Sequence, residues 1–208
     1  MTTRSTEDLV TQHREARARG DRHLAQLYRA RYGILTGDFD GPFGDDGAPK
    51  PLVPVAKRRE AESGQAVAFL ASFTAIGRDC VFVLKRGVSR VGVDPAFGDY
   101  ERVKAPAGAG AVLEGRQWLI VHHPGEVLVM DDRSTNQSTV LPRACPRLEG
   151  VADPRFDAAP YYANMAGLRA PGTVALDWAG TVVQPLHEGD VLLGCYAALV
   201  FGLLPIDS

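Results

Sequence analysis

Residues 131–139, Asp-Asp-Arg-Ser-Thr-Asn-Gln-Ser-Thr, set carboxylates, a guanidinium, hydroxyls and amides side by side between two apolar runs. Such groups bond their own backbone in turns and can equally present donors and acceptors to a ligand. The plain alternative is a hairpin turn. Two other sets of residues suggest chemistry. His122-His123 and His187, with Asp131-Asp132, offer metal ligands, and Cys145 with a histidine offers a nucleophile pair. Adjacent residues of a strand face opposite ways, so His122 and His123 cannot share one ion. They mark instead the end of a strand that begins at Trp118 and turns at Pro124-Gly125. Four aspartates in residues 37–47 suggest calcium, but an EF-hand loop opening at Asp38 would have Pro42 at its fifth position and Pro49 at its twelfth. No glycine-rich phosphate loop of nucleotide-binding spacing occurs. A hydrolase or metal enzyme built on His122, His123 and His187 therefore stands as an alternative that no spacing supports.

The elements around the polar cluster are short and extended. Residues 126–130 read as a strand and Thr139-Val140-Leu141 restart one, which predicts a loop held between two strands of one sheet. Further strands are expected at 66–74, 80–85, 88–93, 118–122, 174–177, 182–183, 191–193 and 197–203, with glycine and proline between them. That pattern predicts an all-β sandwich rather than a parallel α/β sheet. Residues 142–172 interrupt the series, with a short helix expected within 157–168. A connection of that length is usually functional, and it is expected to emerge beside the polar cluster.

Residues 5–32 predict helix, capped by Ser5 or Thr6, with Gly20-Asp21 splitting it and Asp21 capping the second half. Leu24, Leu27, Tyr28 and Tyr32 form a late apolar stripe. Residues 1–32 hold seven arginines against four acids, but the acids are interleaved and no aromatic platform accompanies the early arginines. A solvated face packing one stripe on the main domain is expected. Residues 33–54 read as a turn-rich linker. Lys57-Arg58-Arg59 is followed at once by Glu60 and Glu62, so it reads as neutralised rather than as a nucleic-acid signal.

The chain's 208 residues, 45% apolar and 23% charged, suffice for one core with appendages or two small domains. A formal charge of -2 gives no pull toward nucleic acid or membrane. Cys80, Cys145 and Cys195 are odd in number and widely spaced, so neither a disulfide framework nor a zinc site is indicated. A polar N-terminus without an apolar signal core points to the cytoplasm. The uncharged run 191–206 is shorter than the ~20 residues that span a bilayer, and Gly194, Gly202 and Pro205 interrupt it. It reads as two buried strands turning near Gly194 and Cys195.

In order, Phe82-Val-Leu-Lys-Arg-Gly-Val-Ser-Arg-Val-Gly-Val-Asp-Pro-Ala-Phe-Gly-Asp99, Leu113-Glu-Gly-Arg-Gln-Trp-Leu-Ile120, Ser134-Thr135-Asn136 and Leu186-His-Glu-Gly-Asp-Val-Leu-Leu-Gly194 resemble the forkhead-associated (FHA) domain family over roughly residues 80–203. The resemblance implies an eleven-stranded β-sandwich that reads phosphothreonine peptides with loops at one end. It places Gly92 at the family glycine, but Val93 where the phosphate-binding arginine follows. The family serine falls on Glu114, the next arginine on Gly115, the second on Arg116 and the histidine on Gln117. Thr135 and Asn136, which would serve the phosphate and hold the peptide backbone, remain, and Gln137 replaces the following glycine.

Losing the arginine and the serine together would cost about 3 to 6 kcal/mol of phosphate binding, and Glu114 adds repulsion. The resulting expectation is a mainly β, FHA-like antiparallel sandwich over 65–208, inserted at about 142–172 and preceded by a helical extension and linker over 1–64. It would be a non-catalytic interaction module without cofactor, nucleic acid or membrane, binding a protein partner independently of phosphate. Its expected contact residues are Arg90, Glu114, Arg116, Arg133, Ser134, Thr135, Asn136 and Gln137. A phosphothreonine reader with a rearranged pocket, in which Arg90, Arg133 or Arg116 swings in, is the alternative within the binding class.

Overall fold

In the computed structural model, residues 6–38, 41–43, 66–72, 81–92, 101–104, 116–135, 138–143, 174–177, 179–194 and 197–204 are described. Helix α1 spans Thr6–Ala18 and α2 spans Arg22–Thr36. Gly20, at φ 73, breaks the chain between them, and the Asp21 amide donates back to the Ala16 carbonyl at 2.8 Å. Asp21 does not cap α2 with its side chain, contrary to expectation. It accepts instead from Arg19 Nε at 3.0 Å. Nor does the helix stop at Tyr32. It runs through Gly33 until Gly37 turns left-handed at φ 78 and donates to the Gly33 carbonyl, because Ile34 still has a core to enter.

Among the described residues eleven strands follow: β1 Ala66–Ser72, β2 Val81–Lys85, β3 Gly87–Gly92, β4 Glu101–Lys104, β5 Trp118–His123, β6 Glu126–Asp131, β7 Ser138–Leu141, β8 Val174–Leu176, β9 Gln184–Pro185, β10 Val191–Gly194 and β11 Ala197–Leu203. They form a six-stranded sheet, β2-β1-β11-β10-β7-β8, and a five-stranded sheet, β4-β3-β5-β6-β9. Every pairing is antiparallel except β3 with β4. The period of two decides the layers. Leu70, Phe82, Leu84, Leu199 and Phe201 face Trp118, Ile120, Val127 and Val129 of the other sheet across one core.

The alternate residues Phe69, Ala71, Val81, Val83 and Val200 face outward, where Leu9, Ala16, Leu27, Tyr28 and Ile34 of the helices cover them. The helical pair is therefore a third layer. Strands β1, β2 and β11 are buried on both faces, which is why β11 carries no charge. The expected solvated arginine face holds at Arg14, Arg17, Arg19 and Arg22, which are exposed, but not at Arg29 and Arg31, which are both buried. Arg31 Nη2 donates to the Leu203 carbonyl at 2.5 Å and pairs with Glu188 at 2.9 Å, so its charge clips α2 to two places on the sandwich. Part of the expected linker is packed as well. Phe43 closes a short 3-10 turn, Gly41–Phe43, and packs its ring tilted against His13 and edge-to-face against Tyr32.

Several other expectations change. Strand β4 carries no apolar alternation and does not stand out in the sequence. Val182-Val183 is not a strand, because the Val182 amide is turned toward the Asp177 carboxylate at 3.3 Å and pairing with β6 begins only at Gln184. Proline in β9 is tolerated because β9 is a sheet edge. The loop after β6 does not join two strands of one sheet, since β6 and β7 lie in different sheets. The long connection after β7 starts not beside that loop but at Leu141, the far end of β7, three residues and about 10 Å away. The strand over 66–74, the helix over 157–168, the three cysteines and the basic tract 57–59 fall wholly or partly outside the described residues.

Candidate functional site

The registers bring four chain segments to one end of the sandwich. Val91 pairs with Trp118, Trp118 with Asp131, and Thr139 with Leu193. Hence the end of β3, residues 116–117, residues 132–135 and the end of β10 at Gly194 share that end. Of the expected contact residues, Arg90, Arg116, Arg133, Ser134 and Thr135 are described there, whereas Glu114, Asn136 and Gln137 lie outside the described residues, as do Val93 and residues 94–99.

Asp131 continues the inward column of Val127 and Val129, so its carboxylate reaches the gap between the sheets and is only 2% exposed. There Oδ1 accepts the Ser134 amide at 2.7 Å, and Oδ2 accepts the hydroxyls of Ser134 at 2.6 Å and Ser138 at 2.8 Å. Ser138 begins β7 in the opposite sheet, so one buried carboxylate holds both ends of the loop. Gln117, fully buried, donates from Nε2 to Ser138 Oγ at 2.9 Å, while its backbone bonds the Val91 carbonyl and the Asp132 amide. Gly194 makes room for this arrangement: a Cβ there would stand 2.6 Å from Gln117 Nε2 and from the Trp118 ring.

This division is not legible in the sequence. Ser134, expected to face a partner, is buried and belongs to the scaffold, whereas its neighbour Thr135 is exposed. Arg133 is the one non-glycine residue with positive φ among those described, at 62°, and its side chain is exposed. Such a backbone costs roughly 1 kcal/mol, which the Ser134 amide bond to Asp131 helps hold in place.

Asp132, named from the sequence only as a possible metal ligand, is missing from the expected contact residues. Its Oδ2 lies 2.5 Å from Arg90 Nε, with the two side chains 8% and 19% exposed. Burial pushes its carboxyl above the ordinary value of 3.8, Arg90 and then Arg116 pull it down, Asp131 pushes it up and Arg133 pulls it down. Burial outweighs the nearby cations. Three arginines from three segments thus act on a single carboxylate.

A second missed feature is the turn after β8. Asp177 accepts the Thr181 amide at 2.7 Å and the Thr181 hydroxyl, and these bonds hold its carboxyl below the ordinary range. Gly180 of this turn approaches the Asp131 carbonyl, with 3.4 Å left for a Cβ, so the turn forms part of the same rim. The readable signal was an aspartate followed three and four residues on by glycine and threonine.

The opposite end is built differently. Asp190 is buried and accepts the amides of His187 and Arg143, both at 2.8 Å, and Gly189 at φ 92 completes the turn. Here Gly189-Asp190 is scaffold. The histidines gather no site. His122 is buried and His123 exposed, as strand alternation requires, and both stand at the far end of β5 from Asp131. Among the described residues no group of three or more His, Cys, Asp or Glu is placed to hold a metal, and no helix is long and apolar enough to cross a membrane.

No family model matches the sequence, and no curated protein matches it. Solved structures similar to it include the FHA domain of a hypothetical protein of Arabidopsis thaliana, at 18% identity over 69% of this chain and 91% of that one, with a TM-score of 0.42. Another is the FHA domain of the CT664 protein from Chlamydia trachomatis, at 16% identity over 68% and 100%, with a TM-score of 0.38. A third is the FHA domain of human APLF in complex with an XRCC1 bisphospho peptide, at 13% identity over 67% and 99%, with a TM-score of 0.38. Among the described residues, two sheets of eleven strands form the β-sandwich that the sequence resemblance implied, under an N-terminal helical layer.

Proposed function

We propose that the chain is a non-catalytic protein-interaction module whose loop end holds an extended segment of a protein partner without requiring phosphate on it. The observation that carries this reading is the Arg90–Asp132 pair at 2.5 Å. A phosphate brings about -1.5 to -2 charges and three acceptor oxygens, and needs convergent free donors. Here the β3 cation is already matched by a carboxylate of the chain itself, and the Ser134 hydroxyl is spent on Asp131. What faces outward is Thr135 and Arg133, with residues 136–137 beside them in sequence. A hydroxyl and a guanidinium suit the backbone carbonyls and ordinary carboxylates of an unmodified peptide.

A phosphothreonine reader with a rearranged pocket is favoured by one fact, that Arg90, Arg116 and Arg133 all act on the same spot. Calorimetric titration with a degenerate phosphothreonine peptide library and its unphosphorylated twin, repeated with Thr135→Ala and Asn136→Ala, separates the two. The proposal expects no preference for the phosphorylated set. Binding of that set alone, lost in both variants, would overturn it.

A further inference from the structure

We infer that the outer face of the five-stranded sheet is a second docking surface of this chain, and that its occupant is an amphipathic α-helix of a protein partner. The surface is separate from the loop end and does not depend on what the loop end binds.

Trp118-Leu-Ile-Val121 in β5 and Val127-Leu-Val-Met130 in β6 are apolar at every position. An antiparallel sheet that meets water on one side alternates apolar and polar residues, and a sheet covered on both sides does not. Trp118, Ile120, Val127 and Val129 fill the core between the sheets, so the alternate residues face outward. The registers assemble these into two ranks. Val88 pairs with Val121, Val121 with Leu128 and Leu128 with Pro185; in the next rank Arg90 pairs with Leu119 and Leu119 with Met130. The six apolar residues are all half-buried and belong to none of the buried clusters. At the β9 edge Val182 packs on the core and Val183 is 44% exposed.

The other sheet shows what covers such a surface in this fold. There Val81, Ala71 and Val200 form one outward rank and Val83, Phe69 and Gly202 the next, and α1 and α2 lie on them. The open face repeats that footprint of two ranks, over β3, β5, β6 and β9. It extends about 14 Å across the strands and about 7 Å between ranks, which with side chains amounts to roughly 300 Å². A standard interface takes about 800 Å² from each partner, so the band is too small to hold a second copy of the chain. A helix about 10 to 12 Å wide fits it. Polar residues close the band at both ends of the strands: the Arg90–Asp132 pair on one side, the exposed and paired His123 and Glu126 on the other. Glu126 lies two residues from Leu128 on the same side of β6, so the helix that fits carries a lysine or arginine at that border.

The probe is a displayed library of amphipathic helical peptides about 14 residues long, selected on the whole wild-type chain. Enriched peptides are titrated against wild type, the double variant Val121→Thr with Leu128→Thr, the double variant Leu119→Thr with Met130→Gln, and Glu126→Lys. Two pairs on one face keep the test open should one of them not fold. Enriched peptides should repeat apolar residues at three- and four-residue spacing beside a basic residue. Their affinity should fall at least about tenfold in either double variant, and Glu126→Lys should weaken the peptides with a basic border and favour those with an acidic one. In the free protein each pair should lower the melting temperature by no more than about 4 °C.

A library that yields no binder overturns the inference, as do binders without helical period or binders indifferent to both pairs. A larger loss of melting temperature in both pairs would mean that the chain itself covers the face. A dimer seen by ultracentrifugation and abolished by either pair would mean that a second copy does. The reading of the loop end stands or falls separately, on its own peptide titration.

Discussion

Asp131→Ala tests the architecture of the loop end most directly. The wild-type carboxylate accepts three hydrogen bonds at 2.6 to 2.8 Å while 2% exposed. Bonds to a charged acceptor contribute about 1.5 to 3 kcal/mol each, but they share one group and are not additive. Alanine also strands the Ser134 amide and leaves a small polar gap that water enters from the sheet end. The net cost should be about 3 to 5 kcal/mol, a large part of the 5 to 15 kcal/mol typical of a domain. For a chain of this size that lowers the melting temperature by roughly 6 to 20 °C.

Asp131→Asn keeps an oxygen for the Ser134 amide, and hydroxyls can rotate to accept from its amide group, so it should cost about half as much. Urea unfolding supplies the numbers, with the midpoint moving and the slope unchanged. Ser138→Ala adds a coupling check, since it should cost less on top of Asp131→Ala than in wild type. An Asp131→Ala protein within about 1 kcal/mol of wild type would refute the claim that this carboxylate joins the two sheets.

Three further outcomes follow from named contacts. Arg133→Gly relieves a side chain held at φ 62, so the protein should be stabilised by up to about 1 kcal/mol while partner binding weakens; equal loss of both would deny Arg133 an outward role. Arg31→Met removes the clip from α2 to Leu203 and Glu188 and should cost about 2 kcal/mol, with hydrogen exchange rising first in α1 and α2; uniform loss of protection would mean the helices are not separately anchored. The raised Asp132 carboxyl gives a pH signature. The folded state holds its proton more tightly than the unfolded one, so this contribution to stability is full below the ordinary value of 3.8 and is lost as pH rises through the folded value. The stability of wild type relative to Asp132→Asn should therefore fall as pH rises from 3.8; a flat difference contradicts the assigned cause, burial.

The sequence made the layers readable wherever a period was strong. Trp118 to His123, the turn at Pro124-Gly125 and the paired strands on either side of Gly194 follow from alternation and turn chemistry. The helix break at Gly20 was equally plain. What escaped depends on partners distant in the chain. Asp21 looks like a cap until Arg19 claims it. Arg29 and Arg31 look solvated until a sheet is laid across α2. The loop 132–137 looks like a hairpin because local pattern cannot say that its two strands enter different sheets. The same ignorance hid the site: Ser134 and Thr135 are equivalent in composition, and only the position of Asp131 between the sheets turns one inward and leaves the other outside.

That crossing explains why acidic residues sit where a phosphate reader would be expected to carry only cations. A loop that passes from one sheet to the other leaves amides and hydroxyls in the gap with no strand to bond them, and a buried acceptor must satisfy them. Asp131 meets that need inside. Asp132, one residue on and facing the opposite way, carries its charge to the outer face, where Arg90 stands. The two aspartates are thus adjacent in sequence but serve different ends. Asp131 is required by the architecture, and Asp132 can be neutralised without unpinning the loop. Neutralising Asp132 therefore leaves the bonds of Asp131 to Ser134 and Ser138 in place, whereas neutralising Asp131 removes them.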